Sequence, residues 1–161
     1  VHYDEKKMTV EIGKAIPNIT LPANGGKTIS LSDYQGQNII IYFYPKDSTP
    51  GCTTEGQNFR DMKAELDACN TVVLGASKDS VRRHDNFIAK QEFNFDLLSD
   101  EEEVLCQAFD VIKLKKLYGK EYMGIERSTF LIDAKGVLRQ EWRKVKVKGH
   151  ADEVLAAAQA L

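Results

Sequence analysis

The sequence predicts an α/β fold with a central mixed β-sheet flanked by helices. Two apolar, β-branched runs, residues 38–44 and 71–77, read as buried strands. They alternate with segments of helical period, the pattern that builds a sheet covered by helices. Residues 128–132 and 137–144 flank the turn Asp133-Ala134-Lys135-Gly136, a hairpin that adds antiparallel strands to the sheet.

Taken in order, residues 1–8 open with the polar, aperiodic VHYDEKK and read as a loose N-terminal extension, leaving 9–161 as a single domain. Short extended pieces are expected near 18–21 and 27–30, separated by Asn24-Gly25-Gly26. Ser30 or Ser32 caps a short helical turn through Tyr34. After the first core strand, a helix is expected over about 53–68. Cys52, Phe59, Met62, Leu66 and Cys69 recur along one of its faces at steps of seven, three, four and three. Asp79 or Ser80 caps a helix over 81–90, and a short strand follows near 96–98. Ser99 or Asp100 begins the next helix, with Glu101-Glu102-Glu103 as its acidic first turn. An alanine-rich helix over 151–160 ends the chain. No internal repeat or linker divides it.

Composition excludes several classes. A length of 161 with 42% hydrophobic residues suffices for one sizeable core. A net charge of −2, with both signs mixed, argues against nucleic acid and anionic membranes as partners. No run approaches the ~20 apolar residues of a membrane span. Three cysteines, an odd number, favour a reducing compartment over a disulfide framework, so a cytoplasmic location is expected. His84 lies in the polar run Arg82-Arg83-His84-Asp85 and reads as a solvated helix residue. His2 and His150 lack partners at ligand spacing, so no metal site is expected. Lys144, Lys146 and Lys148 alternate along an extended segment and read as a solvated face.

The chemistry concentrates at Phe43-Tyr44-Pro45-Lys46-Asp47-Ser48-Thr49-Pro50-Gly51-Cys52-Thr53-Thr54-Glu55. A buried strand here delivers the chain into a helix N-terminus. Unpaired amides and the positive end of the helix dipole favour an anion there, and the thiolate is the nucleophilic form of cysteine. The alternative is a small buried thiol filling a gap. The neighbours argue otherwise: Pro45 and Pro50 stiffen the approach, Gly51 permits close backbone contact, and Thr49 can aim a hydroxyl at the same volume.

The pattern Pro45-x-x-x-Thr49-x-x-Cys52 resembles the peroxiredoxin active site. FYPKDSTPGCTTE, LLSDEEEVLCQAF, YGKEYMGIERSTFLID and WRKVKVKGHADEVL together resemble the bacterioferritin comigratory protein, or peroxiredoxin Q, subfamily across roughly residues 9–160. The resemblance implies a thioredoxin-like fold and a thiol-dependent peroxidase without metal or organic cofactor. It implies that Cys52 is the peroxidatic nucleophile, with Thr49, Pro45 and Arg127 completing the site. An arginine before a strand is ordinarily a surface residue, and the resemblance alone assigns Arg127 its place. The implied partners are a hydroperoxide substrate and a thioredoxin, glutaredoxin or small-thiol reductant, with the chain a monomer.

The chain departs from its relatives at the resolving cysteine. Many carry one five residues after the first, where Gln57 stands, or in the next helix, where Ile88 stands. Cys69, on the apolar helix face, reads as core. Cys106, beside the line of Leu105, Phe109 and Ile112, reads as packing, with a resolving role as the alternative. The expected cycle uses one cysteine. Two other classes compete: a disulfide reductase, which needs a Cys-x-x-Cys pair where this chain has Glu55, and a non-catalytic thioredoxin-fold binding or chaperone module.

Overall fold

The computed structural model describes residues 9–161; the N-terminal extension expected over 1–8, with His2, lies outside the described residues. The core is a five-stranded mixed sheet in the order β5-β4-β3-β8-β9. Its strands are β3 (Asn38–Phe43), β4 (Thr71–Ser77), β5 (Asp96–Ser99), β8 (Ser128–Ile132) and β9 (Leu138–Trp142). β3, β4 and β5 run parallel, and β8 joins β3 antiparallel, pairing Phe43 with Ser128 and Tyr42 with Thr129. A two-stranded sheet of β1 (Thr20–Pro22) and β2 (Thr28–Ser30) precedes it. Of the two caps expected for the turn through Tyr34, Ser30 is the one at the N-cap, and Asp33 reaches back to the Ser30 amide in a capping box.

Both faces of β3 are buried, and its side chains alternate between two cores. Ile39, Ile41 and Phe43 face one cluster, with Leu105, Cys106, Phe109, Phe130 and Ile132. Ile40, Tyr42 and Tyr44 face the other, with Cys52, Phe59, Leu66, Phe87 and Phe93. That second face is covered by α1 (Pro50–Asp61), α2 (Lys63–Ala68), α3 (Val81–Gln91) and α5 (His150–Gln159). A strand buried on both faces reads as continuous apolar sequence, which is why residues 38–44 are so legible.

Two expectations are corrected, and one hairpin is added. The helix expected over 53–68 starts earlier, at Pro50, and breaks at Met62, where φ is −106° and the amide bonds back to Phe59. Proline is well suited to a first helical position, having no amide to leave unpaired. The acidic run Glu101–Glu103 is not a first turn. Glu103 adopts φ 61°, and α4 (Val104–Ala108) follows it. Asp100 instead caps α4 across that turn, accepting from the amides of Leu105 and Cys106 at 3.2 and 2.7 Å. Finally, β6 (Ile112–Leu117) and β7 (Lys120–Ile125) form a separate hairpin that the sequence reading did not anticipate. Its turn, Tyr118-Gly119, has φ positive at both positions, as a tight hairpin turn requires.

At Gly56 side-chain size decides the packing. A Cβ there would stand 2.3 Å from Phe93 Cζ. Gly56→Ala should therefore destabilise the domain by about 1–3 kcal/mol of overpacking, less the ~1 kcal/mol offset by alanine's better helix propensity. Urea unfolding at neutral pH checks this, and a midpoint above wild type would mean that Phe93 turns aside freely.

Candidate active site

Thr49 stands at the N-cap of α1 in extended conformation (φ −83°, ψ 155°), and Pro50, Gly51 and Cys52 form the first turn. Thr53 is the first residue whose amide finds a helical acceptor, bonding Thr49 O at 2.9 Å. The amides of Gly51 and Cys52 therefore point out of the helix end beside the sulfur. Cys52 is 1% exposed, sealed against the Tyr42 and Tyr44 side of the core.

Arg127 arrives from the other half of the chain. It lies between β7 and β8, its carbonyl accepting from Val145 N at 3.0 Å. Because Ser128 pairs with Phe43, Arg127 reaches the end of β3 where the Cys52 loop departs. Its Nη2 donates to Cys52 Sγ at 3.4 Å, and its Nη1 donates to Glu55 Oε1 at 2.6 Å. A Cβ on Gly51 would stand 3.2 Å from Arg127 Nη2, so the glycine keeps the guanidinium's place open.

Glu55 is the residue the sequence reading missed. It is 1% exposed, one turn after Cys52, and lies under the guanidinium. Burial pushes its carboxyl up to about 7, although Arg127 opposes the shift by charge and by hydrogen bond. Its second oxygen, Oε2, and the hydroxyl of Tyr42 are buried polar atoms without a protein partner among the described residues. Burial, reinforced by Glu55 and then Cys52, also raises the Tyr42 hydroxyl well above its ordinary range.

The other expected residues divide. Thr49 lies immediately before the helix, its hydroxyl donating to Lys46 O at 2.8 Å. Pro45 is exposed at the rim of the same loop. Cys106 belongs to the opposite core cluster, with its thiol pushed far up by burial and by Asp100. Cys69 is partly buried at the end of α2, within 3.3 Å of Thr71 Oγ1. His84 is corrected: it is fully buried, not solvated, with Nδ1 2.7 Å from Asp47 Oδ2 and Nε2 2.8 Å from Leu98 O. His150 is also buried, bonded to Thr129 Oγ1 at 2.8 Å, and burial lowers its pKa.

The raised Glu55 carboxyl gives a pH signature. Glutamate ordinarily titrates near 4.5, and in the fold about 7. Across that window the folded chain holds a proton the unfolded chain has released, so this contribution is complete below 4.5 and lost as pH rises through about 7. Glu55→Gln cannot titrate. The stability of wild type relative to this variant should fall between pH 4.5 and 7 and then level off, as read by urea unfolding across pH. A difference independent of pH would place the Glu55 titration outside the window.

Residues 12–141 match the AhpC/TSA family. The chain is 54% identical over 151 residues to the Peroxiredoxin Bcp of Xanthomonas campestris pathovar campestris, covering 94% of each chain. It is 55% identical over 148 residues to that of Bacillus subtilis, covering 92% of this chain and 94% of the other. A solved structure of the X. campestris bacterioferritin comigratory protein, described for its alkyl peroxide reduction activity, superposes with a TM-score of 0.86 at 52% identity, covering 91% of this chain and 98% of that one. The chain thus belongs to the AhpC/TSA family, among the Bcp or PrxQ peroxiredoxins, which are thiol-dependent peroxidases with the thioredoxin fold.

Proposed function

We propose that this peroxidase works through Cys52 as its single reacting sulfur, with Arg127, Thr49 and Pro45 around it. The observation that carries the reading is the 3.4 Å contact of Arg127 Nη2 with Cys52 Sγ, between residues 75 positions apart in sequence. The Cys52 thiolate attacks the terminal oxygen of a hydroperoxide in line with the O–O bond. The S–O bond forms as O–O breaks, and the leaving oxygen takes the electron pair and a proton to depart as water or an alcohol. Sulfur is oxidised to the sulfenic acid. Arg127 and the first-turn amides stabilise charge passing to the leaving oxygen, and Thr49 holds the peroxide against the sulfur. Pro45 shields the thiolate from water. By analogy with the X. campestris relative, organic hydroperoxides join hydrogen peroxide as substrates.

An external thiol then restores the enzyme: one thiol displaces water from the sulfenic acid to give a mixed disulfide, and a second releases Cys52. The surroundings support a one-cysteine cycle over one that uses Cys106. Gln57 bonds to Gln91 at 2.9 Å, Ile88 packs into the Cys52-side core, and Cys106 is buried on the other side of the sheet. Thioredoxin, glutaredoxin or a small thiol fits as reductant. A sulfur that must return to the thiol suits a reducing compartment, and a monomer in the cytoplasm completes the proposal. No helix among the described residues is long and apolar enough to cross a membrane.

Cys52→Ser should abolish peroxide consumption while keeping the fold, and serine at Cys69 or Cys106 should leave the first oxidation intact. Mass spectrometry after one equivalent of peroxide should find a sulfenic acid that a dione reagent traps. A stoichiometric internal Cys52–Cys106 disulfide would overturn the one-cysteine cycle. Arg127→Met keeps bulk but removes charge and donors, and should slow peroxide attack by roughly 10²–10³-fold, the usual loss for a stabilising donor of this kind. Stopped-flow oxidation of Cys52 measures it, and a rate within twofold of wild type would remove Arg127 from the site.

A further inference from the structure

His84 is three residues from the nearest core aromatic on its helix and makes no hydrogen bond to Cys52 or Arg127. It nevertheless touches the loop that carries the site. Its Nε2 faces the carbonyl of Leu98 at 2.8 Å, and a carbonyl can only accept, so Nε2 carries hydrogen. Its Nδ1 faces Asp47 Oδ2 at 2.7 Å, and one proton lies between them. Asp47 is held at its other carboxylate oxygen and at its amide as well. Tyr44 Oη donates to its Oδ1 at 2.6 Å, and its own amide donates to Asp79 Oδ2 at 2.9 Å. Asp79 is fixed in turn by Ser77 Oγ at 2.6 Å, and its carbonyl accepts from Ser99 Oγ at 2.6 Å. His84, Asp47 and Asp79 are 0%, 5% and 8% exposed, so these bonds are shielded from competing water.

The residue after Asp47 shows what this clamp holds. Ser48 adopts φ 65°, a left-handed conformation that non-glycine side chains disfavour, and the next residue is Thr49. An anchored Asp47 on one side and the start of α1 on the other fix this turn between them. Thr49 and Pro45 flank the same anchor.

We propose that His84 is a positioning residue for the peroxide-binding arm of the site: through Asp47 it holds the Pro45–Thr49 loop in the conformation that sets Thr49 at the N-cap of α1, three residues before Cys52, with its hydroxyl on Lys46 O. The inference rests on the peroxidase reading above. It differs from a packing role in one respect. The loop it governs binds peroxide, whereas Arg127 and the helix end, which govern the sulfur itself, have other anchors. Loss of His84 therefore separates two reactions of the same thiol.

The test compares wild type, His84→Ala and His84→Gln by stopped-flow oxidation of Cys52 with hydrogen peroxide and, separately, by alkylation with iodoacetamide at fixed pH. Peroxide oxidation should slow about 10–100-fold in His84→Ala, as expected for displacement of a group that orients substrate. The glutamine variant, which keeps a donor for Leu98, should fall between and serves if the alanine variant does not fold. Alkylation should stay within twofold of wild type. Phe109→Leu, in the opposite core cluster, controls for lost stability and should leave both rates unchanged. Peroxide rates equal to wild type in both His84 variants, alkylation slowing in step, or equal slowing in Phe109→Leu overturns the proposal. Failure of wild type itself to consume peroxide, with Cys52→Ser identical to it, would instead overturn the peroxidase reading.

Discussion

The antiparallel pairing of β3 with β8 brings together two residues that the chain separates by 75 positions, and the site depends on it. β3 ends at Phe43 and releases the Pro45–Thr49 loop, while β8 begins at Ser128 directly opposite. Arg127 therefore enters beside the first turn of α1 without a long excursion. A shift of register by one residue would send the guanidinium to the other face of the sheet, against Phe109 and Cys106 in place of Cys52. The burial of both faces of β3 prevents such a slip, because Ile39, Ile41 and Phe43 would exchange cores with Ile40, Tyr42 and Tyr44.

That register places a buried ion pair beside the Cys52 sulfur. Removing Arg127 and Glu55 from water carries a desolvation cost that a single hydrogen bond does not necessarily repay. Here the guanidinium divides its donors, one toward Glu55 and one toward Cys52. The carboxylate orients the fork, and the fork's remaining face is offered to the sulfur and to whatever oxygen approaches it. Glu55's elevated titration, near 7, shows that burial outweighs the arginine's attraction. The site thus sets Glu55 and the Cys52 sulfur around one fixed cation, and a proton on Glu55 leaves more of that cation to the sulfur.

Much of this was legible in the sequence. The central strands, the helix entry at Cys52 and the segment around Arg127 all follow from apolar runs, proline and glycine chemistry and the family pattern. What escaped was polar residues working inside apolar faces. Glu55 divides the seven-residue step from Cys52 to Phe59 into three and four, so it completes the buried stripe of α1. A carboxylate on that stripe needs a cation, and the only signal was its position. His84 shares a face with Phe87 and Ile88, three and four residues on, yet its exposed neighbours Arg82, Arg83 and Asp85 lent it their character. The β6–β7 hairpin failed for the opposite reason: Leu114, Leu117, Tyr118, Tyr122 and Met123 are exposed there, so its lysine-rich sequence shows no clean alternation between core and solvent.

Recycling is where the packing and the sequence meet. A resolving cysteine at position 57 or 88 needs sulfur atoms brought to bonding distance, with Cα atoms typically ~4.4–6.8 Å apart, and so needs α1 to loosen. Here the α1–α3 side is closed by particular contacts: Gly56 against the Phe93 ring, Gln57 to Gln91, and Arg60 Nη1 to Gln91 O at 2.7 Å. Phe93 in turn stacks on Phe95 and meets Phe87 edge-on. A cycle resolved by an external thiol places no demand on this region to open, so the same side chains can pack α1 tightly and keep the first turn in register with Arg127. Under that proposal the reductant approaches from the loop side, where Pro45 is exposed, and α1 keeps its packing.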